Sequence, residues 1–145
     1  MNTEQSLAVA IFEDEQREIK RLEAVLPDVL KIISLTTIDL CSRFVDDAAY
    51  AAELLGPAVL IACIVDGNIA PTTFDKKDGV QLLAKMRKEP RFADVLLISN
   101  SGGGELQAAH AHLQKSGPRM KQYLASLVEI HQQWKLQGKG KLNFQ

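Results

Sequence analysis

The chain has 145 residues, enough for one domain of ordinary size with a buried core. Apolar residues make up 46% and charged residues 24%, the balance of a globular protein, and the net charge is near −1. That charge offers no general attraction to nucleic acid or to an anionic membrane, and no apolar stretch approaches the ~18 residues that span a bilayer.

The start, Met1-Asn2-Thr3-Glu4-Gln5-Ser6, is polar and lacks the basic onset of a secretory signal. Residues 7–12 form a short apolar run and read as a first strand. Over residues 16–26, Ile19, Leu22 and Leu26 recur at helical spacing with charges between them, and Pro27 stops the helix. Residues 30–38, rich in Ile, Leu and Thr, read as a second strand. Asp46-Asp47 then supplies an N-cap for an Ala-rich helix that ends at Gly56-Pro57.

Next comes the most telling segment, Val59-Leu60-Ile61-Ala62-Cys63-Ile64-Val65, closed by Asp66. A continuous apolar run of this length reads as a strand buried on both faces, as in a parallel sheet between helices. Cys63 lies inside it. With Cys41 it is expected to be a reduced packing residue of a cytoplasmic protein, because two cysteines build no disulfide framework.

A polar loop over residues 70–78 leads to a third helix with Val80, Leu83 and Met86 on one face, ending before Pro90. Residues 95–99 read as a fourth strand, closed by Asn100-Ser101-Gly102-Gly103-Gly104. A last helix over residues 119–135 puts Met120, Tyr123, Leu124, Leu127, Ile130 and Trp134 on its inner face, and the tail from Gly138 is expected to fray. Strand and helix alternate, which implies a doubly wound parallel sheet with helices on both faces. We see no repeat and no second domain. The expected unit is one domain over residues 1–145, with a core of about 7–136 and a polar tail of 137–145.

In such a sheet the carboxyl ends of the strands meet at one edge, where open α/β folds place their chemistry. That edge gathers Glu13, Asp14 and Asp66, with Ser99 from the fourth strand. Crowded carboxylates repel one another unless a cation neutralises them, and hard oxygen donors in this number suit Mg²⁺. A magnesium ion beside an aspartate suits phosphoryl transfer to a carboxylate nucleophile, Asp66.

At this point the sequence resembles the receiver domain of bacterial two-component response regulators, over nearly the whole chain. Phe12-Glu13-Asp14-Glu15 is similar to the family's acidic segment, and Ile64-Val65-Asp66 to its phosphoacceptor site. Asp78-Gly79-Val80 is similar to the opening of the third helix, and Val95 to Asn100 to the fourth strand, whose hydroxyl at Ser99 binds the phosphoryl oxygen. The resemblance implies a flavodoxin-like, five-stranded βα fold. It also implies Mg²⁺ held by Glu13, Asp14, Asp66 and the carbonyl of Asn68. It further implies a Lys on the phosphoryl group, for which Lys115 is the candidate, with His112 in the place of the aromatic switch residue.

Three departures stand beside it. The loop after Asp66 is long, carries Asp75, Lys76 and Lys77, and has its proline, Pro71, one place late. Ser99 to Lys115 spans only sixteen residues, and no proline follows Lys115. Residues 105–115 therefore read equally as one helix, with Leu106, Ala109 and Leu113 on its face, which would remove the fifth strand and take Lys115 from the site. Finally, Gly102-Gly103-Gly104 lacks the Lys-Ser/Thr of a nucleotide loop and is expected to lend mobility to this stretch. His110 and His112 lack a third ligand at zinc spacing, His131 reads as a surface or boundary residue, and Tyr123 and Trp134 read as core.

The implied function is a stand-alone receiver, not an enzyme in its own right. It would take a phosphoryl group on Asp66 from a histidine kinase or phosphotransfer protein and signal through contact with a downstream protein. One alternative is a degenerate receiver that binds partners without phosphorylation, favoured if the fifth strand is missing. A weaker one is an aspartate-nucleophile phosphohydrolase. Those enzymes carry a second Asp two residues after the nucleophile, where this chain has Asn68, which cannot transfer a proton.

Overall fold

The computed structural model describes residues 5–67, 69, 78–102, 104–115 and 117–144. Five strands, β1 (Leu7–Phe12), β2 (Leu30–Leu35), β3 (Val59–Val65), β4 (Leu96–Ser101) and β5 (Ala111–Gln114), form one sheet in the order β2-β1-β3-β4-β5. Every pair is parallel, with Phe12 beside Leu35 and Val65, Ile64 beside Ile98, and Ser99 beside His112. Among the described residues six α-helices flank it: α1 (Gln16–Val25), α2 (Ile38–Asp46), α3 (Ala48–Leu55), α4 (Asp78–Lys88), α5 (Met120–Ala125) and α6 (Leu127–Leu136).

Because side chains alternate along a strand, the sheet buries two layers. Phe12, Cys63, Val65 and Leu97 pack with Phe44, Leu83 and Met86 on one face. Val9, Ile11, Ile64 and Ile98 pack with Ile19, Leu22, Leu124 and Trp134 on the other. Both cysteines are buried thiols; burial pushes that of Cys63 well above its ordinary range, and Cys41 Sγ donates to Leu35 O.

The second half of β2 differs from its sequence reading. The strand stops at Leu35, and Thr37 Oγ1 accepts from Leu40 N at 3.2 Å to open α2, so the apolar residues after it continue as helix. Asp47 caps α3 by accepting from Ala49 N and Tyr50 N. The last helix is two, because the backbone leaves helical geometry at Ser126 (φ −105°, ψ 18°).

The helix reading of residues 105–115 is overturned. Ala108 takes φ 75° and Gly104 φ 118°, values a right-handed helix cannot hold. β5 pairs with β4 instead, and no helix forms between them among the described residues. Nor does the tail fray. Leu142 N donates to His110 O at 2.7 Å, Trp134 Nε1 donates to Gly140 O at 2.9 Å, and Phe144 stacks on Tyr123 with centroids 4.4 Å apart. Leu142 and Phe144 are apolar enough to prefer this packing to water, and Lys139 and Lys141 pair with Asp94 and Glu105.

Candidate functional site

Parallel pairing places the ends of β1 and β3 side by side, with the end of β5 on the same edge beyond β4. Glu13 N donates to Leu35 O and Asp66 N to Phe12 O, which carries the ladders one residue beyond the apolar runs and fixes both acids at the sheet edge. Ligand oxygens of Glu13, Asp14 and Asp66 all lie within 4.8 Å of one another. Lys115, the first residue after β5, reaches into the cluster. Its Nζ is 3.1 Å from Glu13 Oε1 and 3.2 Å from Asp66 Oδ1.

Burial is uneven. The Glu13 side chain is 2% exposed, Asp66 10% and Lys115 23%. Burial first, and the charge of Asp66 second, push Glu13 up to about 8, against the pull of the Glu15 N–H and the Lys115 ammonium. Burial alone would lower Lys115, but Asp66 and Glu13 more than offset it and hold the amine above its ordinary value. Among the described residues the site is thus an acidic cluster short of positive charge, with Lys115 shared between two carboxylates.

Above these residues opens a cleft of about 560 Å³, lined among others by Asp14, Glu15, Asp66, Ser101, Glu105 and Lys115. Gly79 packs against the backbone of Asp66 and Gly67, two residues of its lining. A Cβ there would stand 2.1 Å from Asp66 O, so only glycine lets the start of α4 close on the Asp66 turn, where Gly79 N donates to Gly67 O at 3.1 Å.

The donor set fits a hard divalent cation. Three carboxylates converge, and burial beside Asp66 drives Glu13 toward its neutral form, a cost that a bound cation would relieve. Asn68, expected to add a carbonyl, lies outside the described residues, as do Pro71, Asp75, Lys76 and Lys77.

Of the residues expected at the site, Glu13, Asp14, Asp66 and Lys115 come together. Ser99 stands apart: it is fully buried, and its Oγ lies 2.5 Å from His112 Nδ1. The hydroxyl of β4 that lines the cleft is Ser101, whose Oγ donates to Gly104 O. Sequence reading missed Ser101 and Glu105. The period of two along a strand points to Ser101 once β4 is extended past Ser99.

The histidines separate as well. His110 is buried, accepts from Leu97 N on Nδ1 at 3.0 Å, and is pushed down to about 4 by burial first, then by Arg87 and Lys141. His131 is buried rather than at the surface, with Nε2 bonded to Asp94 O at 2.7 Å. Among the described residues, no cluster of three possible metal ligands includes a histidine.

No family model and no curated protein matches the chain. Solved structures do. A two-component response regulator from Legionella pneumophila is 17% identical over 88% of this chain and 98% of its own, with a TM-score of 0.64. The phosphorylated cyanobacterial phytochrome response regulator RcpA is 15% identical over 90% of this chain and 94% of its own, at 0.58. The Mn²⁺-bound form of the response regulator Rcp1 is 13% identical over 91% and 96%, at 0.59. These likenesses establish the fold: the chain folds as a CheY-like response-regulator receiver domain does.

Proposed function

We propose that the chain is a phosphoacceptor receiver in which Asp66 takes a phosphoryl group from a phosphohistidine on a kinase or phosphotransfer protein. The observation that carries this reading is the Lys115 ammonium at 3.2 Å from Asp66, in an edge cluster whose acids share one small volume. An Asp66 carboxylate oxygen attacks phosphorus in line. The P–N bond of the donor breaks, its electron pair returns to the imidazole nitrogen, and an aspartyl phosphate forms. Lys115 then neutralises the new dianion at the place where it already meets Asp66.

Glu13, Asp14 and Asp66 would hold Mg²⁺. When bound, the ion supplies charge that offsets the phosphoryl oxygens and makes the acidic edge accept an anion. Ser101, the hydroxyl of β4 that lines the cleft, would meet the phosphoryl oxygens in place of the buried Ser99. The presence of β5 and the place of Lys115 in the cluster support this reading over a degenerate receiver. Output would pass through contact with a downstream protein. Among the described residues no helix is long and apolar enough to cross a membrane.

The test is incubation with acetyl phosphate and Mg²⁺, followed by intact mass. The native chain should gain one acid-stable, base-labile phosphoryl group, and Asp66→Asn should gain none. No adduct on the native chain would defeat the reading, and steady release of phosphate over many turnovers would favour a phosphohydrolase instead.

A further inference from the structure

Four crossovers join the five parallel strands, and three of them carry helices: α1, then α2 with α3, then α4. The fourth, residues 102–110 between β4 and β5, forms no helix among the described residues. It is shorter than the roughly dozen residues of an ordinary parallel crossover, which usually builds a helix over the sheet. On the face that buries Phe12, Val65 and Leu97 the helix layer therefore ends at α4. One flank of α4 meets α2, where Lys85 Nζ is 3.2 Å from Asp46 Oδ2. Its other flank borders an open groove of about 440 Å³, lined by Val80, Ala84, Arg87 and Lys88 of α4 and by Gln107 and Ala108 of the crossover.

The lining selects what can fill it. Val80, Ala84, Arg87 and Lys88 recur at helical spacing and make one stripe along α4. Val80, Ala84 and Ala108 are half-buried and apolar, and their small side chains let another backbone lie close, as packed helices do. Arg87 and Lys88 are exposed at the far end of the stripe, and among the described residues neither forms an ion pair. The acids nearest them in sequence, Glu89 and Glu105, do not line the groove. In a chain whose net charge is near −1, this groove therefore carries a local positive sign. Covering two cations with an apolar surface costs desolvation, whereas carboxylates would meet them.

We infer that this flank of α4 is the docking surface for an acidic amphipathic helix of a partner protein. The partner's apolar stripe lies on Val80, Ala84 and Ala108, and its carboxylates stand over Arg87 and Lys88. The docked helix takes the place in the layer that the β4–β5 crossover leaves open. The groove shares no lining residue with the cleft over Asp66, so the surface does not rest on the phosphoacceptor reading.

The test uses the full, unphosphorylated chain and two fluorescein-labelled helical peptides of about 16 residues, long enough to hold a helix. Both carry the same leucine stripe; one is flanked by Glu, the other by Lys. Fluorescence anisotropy should show the Glu peptide binding wild type about tenfold more tightly than the Lys peptide, the weight of two rim ion pairs. The double variant Arg87→Glu, Lys88→Glu changes only exposed side chains and should reverse that preference. Ala84→Arg should abolish binding of both peptides while circular dichroism stays that of wild type. Equal affinity for the two peptides, no binding of either, or a Glu peptide indifferent to the charge reversal would each overturn the inference. Two further results would assign the groove to another occupant and overturn it as well. One is self-association of the peptide-free chain that Ala84→Arg abolishes, seen by sedimentation. The other is binding to anionic phosphatidylserine vesicles, lost in the charge-reversed variant, with no binding of the Glu peptide.

Discussion

Glu13 and His110 load the fold with opposite pH dependences. Glu13 ordinarily titrates at 4.5 and is pushed to about 8 in the folded chain, so the folded state holds that proton more tightly than the unfolded one. Its contribution to stability is whole below about 4.5 and falls away as pH rises through 8. Glu13→Gln should remove this slope in metal-free buffer. The variant's melting temperature, measured against wild type, should gain steadily between pH 5 and 8.5, and Mg²⁺ should raise the melting temperature of wild type more than that of the variant. Equal slopes in the two proteins would show that Glu13 is not the buried acid of the cluster.

His110 works the other way. Held down to about 4 from 6.5, it supports the fold fully above 6.5 and less as pH falls through 4, where protonation takes the Nδ1 lone pair from Leu97 N. Its ring should remain neutral by NMR at pH 5.5; a ring charged at that pH would contradict the buried setting. Much of this scale was legible early, since Glu13, Asp14 and Asp66 each close an apolar run. Ser99 and His112 were not, because which hydroxyl faces a cleft depends on where the strand stops.

Among the elements, the start of α4 carries the tightest steric demand. The Asp78-Gly79 pair reads from sequence as a helix opening, but the need for glycine arises from a different segment, the Asp66 turn 2.1 Å from a would-be Cβ. Gly79→Ala should destabilise the chain by about 2 kcal/mol or more, through overpacking against backbone that cannot yield. It should also slow phosphorylation of Asp66 by acetyl phosphate. Denaturant unfolding with an unchanged midpoint would refute this. The long apolar runs of β1 and β3 and the spaced apolar face of α1 were readable because length and period agree. The stretch before β5 was not, since eleven residues with Leu106, Ala109 and Leu113 satisfy a helical period, and only the φ of Ala108 and pairing with β4 decide against it. α2 was lost to a run of β-branched residues that a Thr37 cap converts into helix.

Over the whole molecule, the segment after α6 closes the sheet. β5 is an edge strand, and Leu142 covers it by bonding His110 O while Phe144 lies on Tyr123. Removing residues 138–145 should cost about 2 kcal/mol, mostly from lost apolar burial, and lower the melting temperature by roughly 6 °C. Trp134, which loses Gly140 O as its acceptor, should shift its fluorescence to the red. An unchanged melting temperature would mean that the segment adds nothing to the fold.

The apolar runs, their alternation with amphipathic helices and the acids at their ends determined the parallel sheet and the place of Asp66 without any structure. They could do so because burial on both faces leaves a continuous local signal. The tertiary structure alone decided that Lys115 reaches Asp66, that Ser99 is held by His112, and that the tail packs. Those outcomes depend on strand register and on contacts between residues far apart in the chain, which no local period encodes.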